Sequence, residues 1–395
     1  MTDLGEGAAP GRLSEGQGVS SSEIFMYLSV VPGKESSASH LDSAKDTEVR
    51  KRNSSRVIVL PHRLFTRKTI TCVSLTTHRI FIMIISLTPN PALDVSGLVE
   101  RLTPNEKSYV TQEMRLPGGN GINAARIAQR LGSKVIVTGF LGGASGAELS
   151  LLLKSEKISQ KFIDIRGRTR TNVTISLEKS HQQTRLSFPG PKIQASEKKK
   201  LLTFLRSKKP TLVLIGGSLP QGISNSFIKS LITANRALEI PTFLDVPGKN
   251  LKEIISARPV FIKPNLTEFQ DMTGTRTAKL KDVLKIARRL SPMIPLQCIS
   301  SVEGGALLVT KEHAWFGKIP KIKVESTVGA GDSMVGGMAH SFMKGRMVMS
   351  EKSCELMLRT GLAAACATLS HKGLTLGTRP MITHFLPKIQ IIQID

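Results

Sequence analysis

From Met83 onward the chain alternates short apolar runs with amphipathic ones. "MIISLTPNPALD" (83–94) is an apolar strand that ends in a Pro-rich turn. "KVIVTGFLG" (134–142), "TLVLIGGSLP" (211–220), "IPTFLDVPG" (240–248) and "PVFIKPN" (259–265) are β-branched runs that close on Gly, Pro or Asn. Between them, "GINAARIAQRLG" and "SNSFIKSLITANRALE" carry apolar residues at helical spacing. This alternation predicts an α/β fold in which helices cover both faces of a mostly parallel sheet. Ligands then bind at the carboxyl ends of the strands. Residues 94–116 and 171–188 break the pattern with polar/apolar alternation, and "TNVTISLEKSHQQTRLSF" reads as a hairpin turning near 180–183. These pieces predict a small second sheet outside the main one.

Residues 1–82 read differently. They are rich in Ser, Gly, Thr and Arg and show no sustained periodicity. The expectation is a disordered extension or a mis-assigned start ahead of a single domain over 83–395. A targeting peptide is the alternative, and the acidic residues scattered through the segment count against it.

Composition narrows the function classes. The formal net charge is +25 over 395 residues, which invites a nucleic-acid reading. One Trp and two Tyr leave little for base-stacking platforms, and no nucleic-acid-binding signature accompanies the charge. The lysine run "SEKKKLLTFLRSKKP" reads as a solvated helix face, so no nucleic-acid partner is expected. Cys72, Cys298, Cys354 and Cys366 form no C-x-x-C pair, as suits incidental thiols in a reducing compartment. No apolar run reaches the ~20 residues that span a bilayer. A cytoplasmic protein without a membrane partner is therefore expected.

Three clusters carry candidate chemistry. In "STVGAGDSMVGG" (326–337), Gly329, Ala330 and Gly331 stand where a helix begins, with Asp332 beside them. Open backbone N–H groups and the positive end of a helix make an anion site, and an acid on its rim can take a proton from an attacking hydroxyl. The alternative is a Gly-rich helix start with an N-capping Asp. "PGGNGINAARIAQRLG" (117–132) opens a second helix on glycine, with Asn120 and Asn123 able to meet a polyhydroxyl ligand; a plain strand–helix turn is the alternative. In "KPNLTEF" (263–269), Asn265 and Glu268 could serve a hydrated Mg²⁺, or Glu268 could be an ordinary helix-start carboxylate.

With these clusters in this order, the chain resembles the PfkB branch of the ribokinase-like carbohydrate kinases over about 83–380. "GGNGINAARIAQRLG" is similar to that family's first signature and "STVGAGDSMVGG" to its second, with "GSLP" and "KPN" between them. "LTPNPALD", "GGSLPQG" and "GTRP" resemble the branch that holds the minor bacterial 6-phosphofructokinase, 1-phosphofructokinase and tagatose-6-phosphate kinase. The resemblance implies a ribokinase-like three-layer α/β/α sandwich with a small β-sheet lid. It implies an ATP-dependent phosphotransferase acting on a ketohexose phosphate, first fructose 6-phosphate, with fructose 1-phosphate and tagatose 6-phosphate as rivals. A non-catalytic sugar-phosphate sensor on the same fold is the alternative from another class.

The resemblance also implies roles. Asp332 would be the base, and Gly329, Ala330 and Gly331 would stabilise the transferring phosphoryl group. Asp94, Gly118, Gly119 and Asn123 would hold the sugar, with Lys107 and Arg185 on its phosphate. Lys263, Asn265, Ser300, Gly305 and Thr327 would serve ATP. Glu268 would reach Mg²⁺ through water, and a monovalent cation such as K⁺ is a further candidate cofactor. A homodimer through the lid sheet would follow. Two positions depart from the pattern: Val302 stands at the customary glycine of "SSVEGGAL", which implies a loop that bends differently, and Tyr109 stands where the minor bacterial 6-phosphofructokinase has a second basic residue.

Overall fold

The apolar runs pair into one ten-stranded sheet. The computed structural model describes residues 83–179, 182–371 and 375–394; the expectation for residues 1–82 and the hairpin tip at 180–181 lie outside them. The described chain starts with β1 (Ile84–Thr88), β2 (Ala92–Val99), β3 (Thr111–Gly118), α1 (Asn120–Arg130), β4 (Val135–Leu141), α2 (Gly143–Ser155) and β5 (Ile163–Asp164). It continues through β6 (Arg170–Leu177), β7 (Gln183–Leu186), α3 (Ala195–Ser207), β8 (Leu212–Gly216), α4 (Asn225–Ala237), β9 (Thr242–Asp245), α5 (Gly248–Ile254), β10 (Phe261–Ile262) and α6 (Leu266–Thr273). It closes with α7 (Leu280–Leu290), β11 (Leu296–Val302), β12 (Gly305–Val309), β13 (Ala314–Lys318), α8 (Ala330–Lys344), α9 (Glu351–Leu369), α10 (Arg379–Phe385) and β14 (Gln390–Ile394).

The sheet order is β14-β13-β12-β11-β10-β9-β8-β1-β4-β5. From β11 to β5 all neighbours are parallel, and β12, β13 and β14 add an antiparallel edge. Strands buried on both faces need apolar residues at nearly every position, which is why these runs do not alternate. In β8, Leu212 and Leu214 face one core while Val213 and Ile215 face the other. Helices α1, α2, α8, α9 and α10 cover the first face, and α3 to α7 cover the second. The sheet, the two helical layers and the separate small sheet are the ribokinase-like α/β arrangement expected. Among the described residues no helix is long and apolar enough to cross a membrane.

The small sheet has the order β3-β2-β6-β7, with β2 and β6 parallel and antiparallel partners outside them. The lysine run forms α3, with Lys199 and Lys200 exposed and Leu201 fully buried beneath them.

Helix α8 is sunk between α1 and α9, and small residues permit this. A Cβ on Gly336 would lie 2.3 Å from the Ala124 carbonyl oxygen of α1, and one on Gly337 would lie 2.8 Å from the Thr360 carbonyl oxygen of α9. The Ser333 and Thr368 hydroxyls bond at 2.7 Å, and Ser341 donates to Thr360 at 2.9 Å. The depth of α8 sets where its first turn stands. Gly336→Ala should therefore lower the unfolding free energy by about 1–3 kcal/mol through overpacking, read from urea denaturation midpoints.

Candidate active site

A cleft of about 420 Å³ opens at the carboxyl ends of the parallel strands, beneath the small sheet. Its floor is made by the starts of α1 and α8 and by the ends of β9 and β10, and its roof by β2, β6 and β7.

The first turn of α8 resolves the meaning of its glycines. Gly329 is the N-cap residue at φ 76°, a left-handed conformation that glycine adopts freely. A Cβ there would also meet the Leu376 side chain at 2.6 Å. Ser333 N–H donates to the Gly329 carbonyl, so Asp332 is already helical and is not the cap. Its carboxylate instead lines the cleft and accepts from the Asn123 amide nitrogen at 2.9 Å. Burial and the nearby Asp245 charge push Asp332 up to about 6; Asn123, Lys263 and Arg185 act in the opposite direction. A base of this strength is still ionised at neutral pH and well matched to accept a proton there.

Lys263 sits under the same turn. Its ammonium pairs with the Asp245 carboxylate at 3.3 Å, and both side chains are almost wholly buried. It also lies 3.4 Å from the position a Cβ on Gly331 would take, so the glycine leaves the amine access to the helix start. Burial works to neutralise Lys263, but Asp245, Glu268 and Asp332 together outweigh it and raise its pKa. Asp245 in turn accepts from the Asn120 amide at 3.3 Å.

Glu268 is both a cap and a cleft wall. Asn265 and Glu268 form a reciprocal capping box at the start of α6, with both bonds at 2.9 Å. Burial raises the Glu268 pKa against the Asn265 bond and the Lys263 charge. Among the described residues no group of three or more His, Cys, Asp and Glu is placed to hold a metal ion. The donor set suits a Mg²⁺ that keeps most of its waters and leans on phosphate oxygens, with Glu268 and Asp245 as the nearby carboxylates.

The roof supplies cations and a fourth acid. Asp94 on β2 accepts from the Asn172 amide of β6 at 2.8 Å, and burial raises its pKa against that bond and the Arg185 and Arg170 charges. Gly118 lets this carboxylate lie on the backbone, since a Cβ would stand 2.1 Å from Asp94 Oδ2. Arg185 on β7 faces the cleft. Arg170 does too, fixed by donating to the Phe188 and Asn90 carbonyls at 2.9 and 3.0 Å.

The cleft thus gathers Asp94, Gly119, Asn123, Arg185, Lys263, Asn265, Glu268, Thr327, Gly329, Gly331 and Asp332 from the expected set. Ala330 is the first residue of α8 between the two glycines. Three expected residues stand elsewhere. Lys107 lies on the exposed loop before β3, with its ammonium 4.9 Å from the centre of the Tyr109 ring. Ser300 bridges to Asn265 and donates its N–H to the Pro264 carbonyl, which ties β11 to the turn after β10. Gly305 starts β12, pressed against the Gly317 carbonyl.

Val302 does not take the left-handed conformation of a glycine. It is fully buried in the second core, and positive φ falls on Ser301 (62°), Glu303 (44°) and Gly304 (75°) around a bulge in β11. Glu303 then accepts from Leu280 N–H at the start of α7. Asn120, read in the sequence beside Asn123, also lines the cleft, whereas Asp245, Arg170 and Asn172 were not among the expected site residues. The one signal for Asp245 was an acid closing an otherwise apolar strand at its ligand-binding end.

A family model described as "pfkB family carbohydrate kinase" matches residues 81–380. The chain belongs to the pfkB family of carbohydrate kinases. It is a phosphotransferase of that family with an alcohol group as acceptor. Relatives include the 1-phosphofructokinase of Bacillus subtilis, 29% identical over 79% of this chain and 100% of its own length. The tagatose-6-phosphate kinase of Staphylococcus epidermidis is 31% identical over 65% of this chain and 84% of its own. Among solved structures, phosphofructokinase-2 of Escherichia coli in complex with potassium superposes with a TM-score of 0.73 at 29% identity, covering 78% of this chain and 98% of that one. The same enzyme in complex with fructose-6-phosphate gives 0.72 at 28% identity, with coverage of 78% and 98%.

Within this pfkB kinase the buried pair at the cleft floor is open to a direct test. Asp245→Ala leaves the Lys263 ammonium buried without its nearest counter-charge. It should cost about 3–5 kcal/mol of stability in denaturant titration, with Asp245→Asn costing less because the amide still solvates the amine.

Proposed function

We propose that the protein is an ATP-dependent ketohexose-phosphate kinase that converts fructose 6-phosphate to fructose 1,6-bisphosphate. The observation that carries this reading is the Asp332 carboxylate in the first turn of α8, facing a cleft whose roof presents Arg170 and Arg185. One end of the cleft suits a phosphoryl group in flight and the other a phosphate already on the acceptor.

Asp332 takes the proton of the acceptor hydroxyl, the oxygen attacks the γ-phosphorus of ATP, and ADP leaves with the bridging oxygen. The N–H groups of the turn at Gly329, Ala330 and Gly331, with Lys263, meet the charge on the transferring group; such transfers need mainly position and charge stabilisation. Asp94, Asn123 and the close backbone of Gly118 and Gly119 hold the sugar hydroxyls. Arg185, with Arg170, pairs with the acceptor's phosphate in the forked geometry guanidinium favours. Lys107 lies outside the cleft wall and is left out of this contact. Asn265 and Thr327 face the nucleotide side, and Ser300 and Gly305 shape its loop from behind. Mg²⁺, held through Glu268 and water, would neutralise phosphate oxygens. K⁺ is included because phosphofructokinase-2 of Escherichia coli has been solved with potassium.

Fructose 1-phosphate and tagatose 6-phosphate remain rivals, since relatives named for them match at similar identity. A homodimer through the small sheet is part of the reading. Val110, Leu186 and Phe188 are each more than half exposed there, an apolar surface that suits a partner copy.

An ATP-consumption panel with fructose 6-phosphate, fructose 1-phosphate, tagatose 6-phosphate, ribose and adenosine tests the substrate. The highest kcat/KM should fall on fructose 6-phosphate; a preference for ribose or adenosine would overturn the phosphosugar reading. Asp332→Asn should lower kcat by roughly 10²–10⁴-fold with a smaller change in sugar KM. Because Asp332 accepts a proton only when ionised, kcat/KM should fall tenfold per pH unit below about 6. Arg185→Ala should raise the sugar-phosphate KM far more than the ATP KM.

A further inference from the structure

A chain of polar contacts leads from the Asp332 carboxylate to the far end of α2. Asn123 donates its amide nitrogen to Asp332 at 2.9 Å, and its amide oxygen accepts from the Arg126 guanidinium at 3.2 Å. Arg126 is 3% exposed and spends its other donors on the Pro117 carbonyl at 3.3 Å and on both oxygens of Glu156, with Nε to Oε2 at 2.8 Å. Glu156 caps the carboxyl end of α2.

Chemistry leaves this chain one polarity. A guanidinium only donates and a carboxylate only accepts. An amide between them satisfies both only with its oxygen toward Arg126 and its nitrogen toward Asp332. With Arg126 displaced, the Asn123 amide is free to turn and present its oxygen to Asp332, which a protonated acid tolerates and a carboxylate does not.

We propose that Arg126 and Glu156 are positioning residues for phosphoryl transfer: Glu156 holds the guanidinium, and the guanidinium fixes which end of the Asn123 amide meets Asp332. The same glutamate reaches the other side of the site. Arg130, 3.7 Å from Glu156, donates to the Leu376 and Gly377 carbonyls at 2.7 and 2.9 Å, and the Leu376 side chain backs Gly329. The proposal rests on Asp332 as the base. The charged groups that bear on that carboxylate are Asp245 from β9, Lys263 from the turn after β10 and Arg185 from β7. None of these belongs to the relay.

The test compares wild type with Arg126→Lys, Glu156→Gln, Asn123→Ala and the double variant Arg126→Lys/Asn123→Ala. Three readouts are taken: the pH profile of kcat/KM with fructose 6-phosphate, the infrared titration of the Asp332 carboxyl isolated by difference from Asp332→Asn, and the melting temperature. Arg126→Lys keeps the charge but loses the fork. It should move the acid limb and the infrared titration upward by about 1 pH unit, the scale of one hydrogen bond to a charged group. Glu156→Gln removes a negative charge, which alone would shift Asp332 downward, so an upward shift there reports lost positioning. Asn123→Ala should match Arg126→Lys, and the double variant should go no further.

A lower melting temperature with both titrations unmoved would overturn the proposal, as would additive shifts in the double variant. Should Arg126→Lys not fold, Glu156→Gln decides alone, and an unmoved or downward titration overturns it. If no acceptor is phosphorylated, the kinase reading fails while the infrared titration still decides the relay.

Discussion

The buried ammonium of Lys263 is the charge on which the cleft depends. Asp245, Glu268 and Asp332 all bear on it, and their combined field outweighs the burial that works against its charge. One cation among three acids is an imbalance, and it adds to burial: burial and the Asp245 charge both raise the pKa values of Glu268 and Asp332. In the proposed reaction that imbalance is useful. Asp332 is poised to take a proton, and a divalent cation arriving with a nucleotide finds carboxylates that gain from its charge. The Asp245 pair then acts less as a stabilising contact than as the condition for keeping an ammonium under the first turn of α8 at all.

That turn is placed by packing, not by its own contacts with the cleft. Gly336 and Gly337 let α8 sink until its backbone meets α1 and α9, while Gly329 turns the chain into the helix beside Leu376. One motif therefore holds glycines of two kinds. The early ones line the cleft, and the later ones bring helices close. Glycine weakens a helix interior, but here the helix is held by burial on both sides, so propensity is a minor term.

The sheet was legible because strands covered on both faces must be apolar at successive positions, a pattern few other structures impose. The cleft floor was legible where glycine and an acid or amide open a helix together, as at Asp332 and Asn123, and where Asn265 and Glu268 stand at capping-box spacing. Asp245 and Arg170 were not: an acid closing an apolar strand is a weak signal by itself, and an arginine opening an alternating strand is none. Their meaning comes from sheet order, which sets β9 beside β10 and lays β6 over the cleft. Glu268 shows a further limit: the capping and the cleft readings looked exclusive in the sequence, and one side chain fills both places. Val302 shows the reverse. A missing glycine suggested a changed turn, and the chain moved its left-handed residues to either side and used the valine as core.

The roof follows a different logic from the floor. The floor is built from strand ends and helix starts locked into two large cores, whereas the small sheet offers few fully buried side chains of its own. Its polar residues must therefore be fixed by hydrogen bonds. Asn172 holds Asp94, and Arg170 reaches back to the Asn90 carbonyl in the turn between β1 and β2. Arg170 thereby fastens β6 of the roof to the end of β1, a central strand of the main sheet, through a group that also faces the cleft. An anion bound by Arg170 would bear on that fastening directly, so binding at the roof and the placing of the roof over the floor draw on the same guanidinium.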